Sequence, residues 1–324
     1  MRSVPVVDVS ADPAAVGAEL DEVCRSVGFF QVTGHGVPDG IAERAWAAAT
    51  EFFDLPLEDK LSVARPEAGY PYGYMPLAGE SLSQSMSGAA PADLKEVFNA
   101  GPPARPAAPF ADPGEAWAYS PNLWPAALPD LKPAWTAYYE AMRELGSRLM
   151  ALLARGLELP PGFFADKTAE GPNALRAINY PARDVAPRPG QLRAGAHTDY
   201  GTLTILRQDA VGGLEVLDRA GQWTGVESVP GALVINIGDL MARWTNDRWQ
   251  STLHRVVDPA EPGPTAAMAR RQSMPYFQNA NWSATISCLP TCLEPGQEPR
   301  YEPVLAGPYL MSKFRRSVTF EGSG

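Results

Sequence analysis

Histidine and cysteine are both scarce in this chain, three of each in 324 residues. Any imidazole chemistry must therefore run through His35, His197 or His254. Cys24, Cys288 and Cys292 are an odd number in a long chain, which argues against a disulfide framework and for a reducing compartment, so we expect the cytoplasm. "CLPTC" has no second Cys/His pair within short reach and is not read as half of a zinc site. Long apolar runs are missing, which leaves no candidate membrane span. The opening "MRSVPVVDVSADP" has one short apolar run followed by Asp and Pro, so no secretory signal is expected. Positive charge is also in deficit, with 27 Lys and Arg against 37 Asp and Glu, a net charge of -10. That balance argues against nucleic acid or an anionic membrane as partner and leaves a small molecule. The expected assembly is a monomer or small homo-oligomer.

What the chain does have is ordinary: 45% hydrophobic and 20% charged residues, enough to bury a real core. "VPVVDVS" reads as a strand, residues 13–26 as an amphipathic helix, "GFFQVTGHGVP" as a second strand, and residues 39–53 as another helix. Residues 65–130 are dominated by Pro, Gly, Ala and Ser, so we expect little regular structure there and a covering role over a site. Leu131, Trp135, Tyr138, Met142, Leu145, Leu149 and Leu152 recur at three- and four-residue spacing, the stripe of a helix backing a sheet. From 174 to 289 come eight short β-rich segments between turns: "ALRAINYP", "TLTILRQD", "GLEVLDRAG", "QWTGVESVPG", "ALVINIGD", "STLHRVVD", "RQSMPYFQN" and "ATISCLP". The expected fold is mainly β with flanking helices, a distorted double-stranded β-helix (jelly roll) core plus an N-terminal α/β region. The expected division is residues 1–165 packed on residues 166–324 as one integrated unit.

Within "HTDYGTLTIL", His197 and Asp199 are two residues apart, and on a strand they would share a face. With seventeen aspartates in the chain, three histidines give roughly 0.16 chance His-x-Asp pairs, so the pair alone is weak. His254, on another β segment, supplies a third partner. Two imidazoles and one carboxylate on one side of a metal leave the other positions open, the arrangement of non-haem Fe(II) oxygen chemistry. Arg271 and Ser273 form Arg-x-Ser on a further β-like segment, and Tyr180 in "INYP" adds a hydroxyl. A guanidinium fork with two hydroxyls suits the far carboxylate of a dicarboxylate co-substrate whose 2-oxo acid end chelates iron. Only the Ser spacing selects Arg271 over the adjacent Arg270. Tyr74 and Met75 in "GYPYGYMPLAGESL", Phe98 and Asn99 in "EVFNAGPP", and Phe277 are candidate substrate contacts. Asp239 and Asn246 are expected to serve turns and to support the ligands.

The ordered set "GFFQVTGHGVP", "NYP", "HTDYGTLTIL", "GGLEVL", "VINIGDLMARWTNDRWQSTLHRV", "RQSMPYF" and "CLPTC" resembles the 2-oxoglutarate/Fe(II)-dependent oxygenases of the isopenicillin N synthase-like family. The resemblance covers nearly the whole chain. It implies His197, Asp199 and His254 as iron ligands, and Arg271, Ser273 and Tyr180 on the far carboxylate of 2-oxoglutarate, with O2 as second co-substrate. It makes the "GHG" around His35 a structural turn. Relatives that halogenate lack the carboxylate, so Asp199 implies hydroxylation, desaturation or ring closure. The chain departs from the family in having Asn179 before Tyr180, and a longer link, "VDPAEPGPTAAMARRQS", between His254 and Arg271. An Ala/Pro/Arg-rich composition suggests a bacterium of high genomic GC, where such enzymes tailor natural products or amino acids. Three alternatives stay open: an oxidase of the isopenicillin N synthase type that needs no 2-oxoglutarate, a non-catalytic cupin-like binding protein, and a zinc hydrolase. The last leaves Arg-x-Ser unexplained.

Overall fold

The period-two segments become strands, and the stripe beginning at Leu131 becomes the longest helix. A computed structural model describes residues 4–82, 91–106, 109–183, 187–258 and 269–317. In chain order the N-terminal half holds β1 (Val6–Asp8), α1 (Pro13–Ser26), β2 (Phe29–Thr33), α2 (Asp39–Asp54), α3 (Leu57–Leu61), β3 (Gly73–Met75) and β4 (Glu96–Ala100). Then come α4 (Pro113–Ala118), α5 (Leu131–Gly156), α6 (Ala165–Thr168), β5 (Ala174–Tyr180), β6 (Ala194–His197) and β7 (Leu203–Gln208). The remainder is β8 (Leu214–Leu217), β9 (Trp223–Gly225), β10 (Leu233–Ile237), α7 (Asp239–Trp244), β11 (His254–Val256), β12 (Arg271–Gln278), β13 (Thr285–Ile286), β14 (Val304–Leu305) and α8 (Ala306–Ser317).

Local chemistry sets several of these boundaries. Asp12 caps α1, its carboxylate accepting from the Ala14 and Ala15 amides at 3.1 and 3.0 Å, and Pro13 fills the first helical position. Gly28 ends that connection at φ +68°, and a Cβ there would lie 2.1 Å from the Gln250 carbonyl oxygen. Such a turn brings β2 directly back against the sheet.

Eight strands form the main sheet in the order β1-β2-β10-β7-β12-β5-β4-β3, antiparallel except for β1 beside β2. A second sheet runs β6-β11-β8-β9. Neighbouring residues of one strand go to opposite faces. Phe30 joins the large core with Leu20, Phe52, Trp135 and Leu149 of α1, α2 and α5, whereas Phe29 joins Tyr180, Val216 and Val256 between the two sheets. Helices therefore cover one face of the main sheet, and the smaller sheet packs on the other. Full burial of each large apolar side chain in these layers is worth about 1.5–3 kcal/mol.

All eight β-rich segments contain a strand. The expectation for residues 65–130 is corrected: β3 and β4 lie in that Pro/Gly-rich stretch and complete the edge of the main sheet. Residues 83–90 and 107–108 of it lie outside the described residues, as do residues 259–268 of the long link after His254. Near the cavity mouth α4 meets α8, with the Trp117 and Phe314 rings 4.8 Å apart. No helix among the described residues is long and apolar enough to cross a membrane.

Candidate active site and metal centre

β6 ends at His197 and β11 begins at His254, and the two residues are direct antiparallel partners with ring centroids 4.2 Å apart. Asp199 departs from the sequence reading, because it lies beyond the end of β6 and strand alternation does not place it. The start of α7 holds it instead: the Asp239 amide donates to the Asp199 carbonyl at 2.7 Å, and the Leu240 amide to that of Gly201 at 3.1 Å. Gly238 permits this contact, since a Cβ there would lie 2.2 Å from the Gly201 carbonyl oxygen. The expected supporting role of Asp239 is thus carried by its backbone, while its carboxylate takes Ser251 and Lys313. Asn246 sits in a turn at φ 55° and accepts from the Arg300 amide at 2.8 Å. His35 likewise folds into its own turn, bonded to Gly231 and Val37.

Each potential ligand is oriented by its other polar atom. The Nδ1 atoms of His197 and His254 lie 2.8 and 3.1 Å from the carbonyl oxygens of Gly195 and Thr252. A carbonyl only accepts, so Nδ1 carries the proton in each ring and Nε2 keeps its lone pair. Asp199 Oδ2 accepts from Thr204 Oγ1 at 2.5 Å and Asn236 Nδ2 at 2.7 Å, which leaves Oδ1 free. Both Nε2 atoms stand 3.9 Å from that Oδ1, too far for a hydrogen bond. Three lone-pair donors thus converge within 4.8 Å without bonding each other, a donor set that fits a divalent ion. Burial, then the neighbouring His254, pushes the His197 imidazole down to about 3, favouring its neutral, ligating form. Burial would raise Asp199, but the two imidazoles and its hydrogen bonds outweigh that and hold it below the usual carboxylate range.

A cavity of about 230 Å³ opens between the sheets, and the three residues line it together with Arg271, Ser273 and Tyr180. Arg271 and Tyr180 are register partners on β12 and β5, with the guanidinium 5.0 Å from the Tyr180 ring centroid. Arg271 Nε donates to the Gly212 carbonyl and Nη2 to Gln208 Oε1, both at 2.9 Å, while buried Nη1 has no partner. Arg270 points to the other face and pairs with Asn179 and Asp54. Alternation along β12 thus turns Arg271, and not Arg270, toward the cavity.

The same alternation sorts the candidate substrate contacts. Asn99 and Phe277 line the cavity. Tyr74 and Phe98, register partners on β3 and β4, face the helices instead, where Tyr74 bonds Glu96 and Phe98 packs against Phe52 and Trp135. Met75 is buried beyond the cavity lining. Sequence reasoning missed Thr204 and Asn236, although each is a polar residue inside an apolar strand, a pattern that marks a position facing a site. It also missed Arg65, Glu80, Lys95 and Arg176, which line the cavity from four separate segments.

Residues 4–127 match the family model described as non-haem dioxygenase in morphine synthesis N-terminal, and residues 172–280 match that of the 2OG-Fe(II) oxygenase superfamily. The 2-oxoglutarate-Fe(II) type oxidoreductase hxnY of Emericella nidulans is 35% identical over 97% of this chain and 90% of its own length. The chain belongs to the 2-oxoglutarate/Fe(II) oxygenase family. This oxygenase is also 36% identical to validamycin A dioxygenase of Streptomyces hygroscopicus subsp. limoneus, over 88% of the chain and 79% of that relative. Its fold matches that of a full-length Neurospora crassa protein solved in complex with alpha-KG, with a TM-score of 0.83, 30% identity, and coverage of 96% of this chain and 95% of that one. As a member of the family it is an enzyme that uses Fe(II) and 2-oxoglutarate.

Proposed function

We propose that this oxygenase oxidises a C–H bond of a small-molecule substrate, by hydroxylation, desaturation or ring closure, and forms succinate and CO2 from 2-oxoglutarate. His197 Nε2, Asp199 Oδ1 and His254 Nε2 hold the iron. The observation that carries this reading is their convergence, each left free by the partner that occupies its other polar atom. Arg271 Nη1, Ser273 and Tyr180 take the far carboxylate of 2-oxoglutarate. In support, Arg271 is 1% exposed yet has a donor without a partner, and neither hydroxyl is committed elsewhere among the described residues. The two packed sheets are, on this reading, the distorted jelly roll.

Bound Fe(II) and 2-oxoglutarate supply the oxidising power: with O2, one substrate C–H becomes C–OH while 2-oxoglutarate becomes succinate and CO2. The chain's own residues position and shield. Thr204 and Asn236 fix the plane of the Asp199 carboxylate, and the backbone at Gly195 and Thr252 fixes both imidazole rings. Phe29, with its ring 5.1 Å from that of His254, and Val256 keep water from the ligands on the inner side. Arg271 is held by two acceptors before any ligand arrives, so little ordering cost remains on binding. The name of the validamycin A relative supports a natural product as substrate class. Succinate release in air with Fe(II) and a small-molecule panel tests the reading. His197→Ala and Asp199→Ala should each abolish it, and release that survives either change refutes the assignment.

A further inference from the structure

The cavity has a second cationic end that the iron and co-substrate sites leave unused. Arg65 and Arg176 line it with Glu80, and Lys95 reaches the same Glu80 from the side of Tyr180 and His197. Lys95 Nζ lies 2.9 Å from Glu80 and 3.0 Å from Asp93, and Arg176 Nη1 lies 3.0 Å from Glu80 Oε1. Arg176 Nε is bonded to Asn99 Oδ1 at 2.7 Å. Among the described residues, nothing accepts a hydrogen bond from Arg65, whose Nε is buried without a partner. Burial, then the nearby Arg176, pushes its guanidinium down to about 10, so the charge is held at a cost that an anion would relieve. Three cations face two carboxylates here, in a chain whose overall charge is -10. The excess of one positive charge matches a monoanion.

The rest of that end is apolar by arrangement. Tyr72 and Trp117 line it, but the Tyr72 hydroxyl is spent on the Ala118 carbonyl and Trp117 Nε1 donates to the Gly69 carbonyl at 2.6 Å. Phe277 stands with its ring centroid 6.0 Å from the Arg176 guanidinium, and Phe314 closes the wall from α8. The polar handles of the aromatic side chains are consumed by backbone, so ring faces are what a ligand meets. Arg176 is four residues from Tyr180 on β5, about 13 Å along the strand, whereas Arg271 is the register partner of Tyr180. The two arginine sites therefore lie toward opposite ends of the cavity.

We propose that the primary substrate is an organic monocarboxylate with an apolar or aromatic body, its carboxylate seated on Arg65 and Arg176 at the end of the cavity away from Arg271. This rests on the reading that the Arg271 end takes 2-oxoglutarate. A monoanion there meets one guanidinium that donates no hydrogen bond among the described residues and is attracted only by nearby Glu80, and a second that is already aligned by Glu80 and Asn99. The body of the ligand then lies against the aromatic wall between that end and the metal centre.

The test uses full-length protein loaded with Mn(II) and 2-oxoglutarate, titrated with matched acids and primary amides: 3-phenylpropanoate and 3-phenylpropanamide, hexanoate and hexanamide, cyclohexanecarboxylate and its carboxamide. Wild type should bind at least one acid more than about tenfold tighter than its amide, the scale of a charge-assisted pair. Arg65→Gln should bring that ratio close to one, and Arg65→Lys should retain most of it. Arg65 makes no hydrogen bond that its replacement would break, so the folded variant is the expected species, checked by its unchanged 2-oxoglutarate affinity. Equal affinity for acid and amide, an undiminished ratio in Arg65→Gln, or no binding of any acid overturns the proposal. If wild type fails to bind 2-oxoglutarate at all, the reading of the Arg271 end falls first and takes this one with it.

Discussion

Replacing Arg271 by Leu separates a binding role from a structural one. Arg271 lines the cavity with Ser273 and Tyr180, and its Nη1 has no partner. A hydrogen bond to a charged group is worth about 1.5–3 kcal/mol. Losing the guanidinium while two neutral hydroxyls remain should cost about 2–4 kcal/mol of 2-oxoglutarate binding, or about 30- to 700-fold in Kd. The substitution also strips a donor from the Gly212 carbonyl and from Gln208, so some stability is lost as well. A cycle removes that ambiguity. 2-Oxopentanoate keeps the chelating end of the co-substrate and replaces its far carboxylate with a methyl group. Anaerobic titration of the Fe(II) protein should find wild type strongly favouring 2-oxoglutarate and Arg271→Leu scarcely distinguishing the two acids. Arg271→Lys, which keeps charge without the fork, should fall between. If Arg271→Leu discriminates as well as wild type, or binds 2-oxoglutarate within about twofold of it, the carboxylate is held elsewhere.

Three further outcomes follow from the same geometry. Asn236→Leu and Thr204→Val each remove a donor from Asp199 Oδ2, and each should weaken metal binding about 10- to 100-fold in an Mn(II) titration; unchanged affinity would deny them an orienting role. Phe98→Ala should lower stability by about 3–5 kcal/mol in urea unfolding while leaving the KM for 2-oxoglutarate unchanged, because Phe98 packs on helix residues and not on the cavity. In the metal-free protein the folded His197 has its pKa lowered from 6.5 to about 3, so between those values the unfolded chain binds more protons than the folded one. The stability present above pH 6.5 should therefore be lost as pH falls through that window, at about 1.4 kcal/mol per unit. His197→Gln should flatten the slope between pH 6.5 and 5, and an equal slope in the variant would contradict the assignment.

The strands and the long helix were legible because one face of each is buried and the period shows. β3 and β4 were hidden: three- and five-residue strands set among Pro and Gly leave too short a pattern. The metal residues were readable from residue type and order, yet for a reason only partly right. Register brings His197 and His254 together, but a turn clamped by α7 delivers Asp199. Tyr74 and Phe98 face the helices and not the cavity, because a strand alternates its faces where a loop assigns none. Had β4 been recognised, period two would have sent Asn99 to the cavity and Phe98 to the core. Arg65, Glu80, Lys95 and Arg176 are isolated charges along the chain, and the pairing of β3 with β4 and of β4 with β5, with the bridge from Ala64 to Tyr74, gathers them.

The most direct test of the account is a crystal structure grown anaerobically with Mn(II) and 2-oxoglutarate. It should place one ion on His197 Nε2, Asp199 Oδ1 and His254 Nε2, with the 2-oxo acid end on the ion and the far carboxylate on Arg271, Ser273 and Tyr180. An ion bound elsewhere, or 2-oxoglutarate lying with its far carboxylate on Arg65 and Arg176, would contradict it.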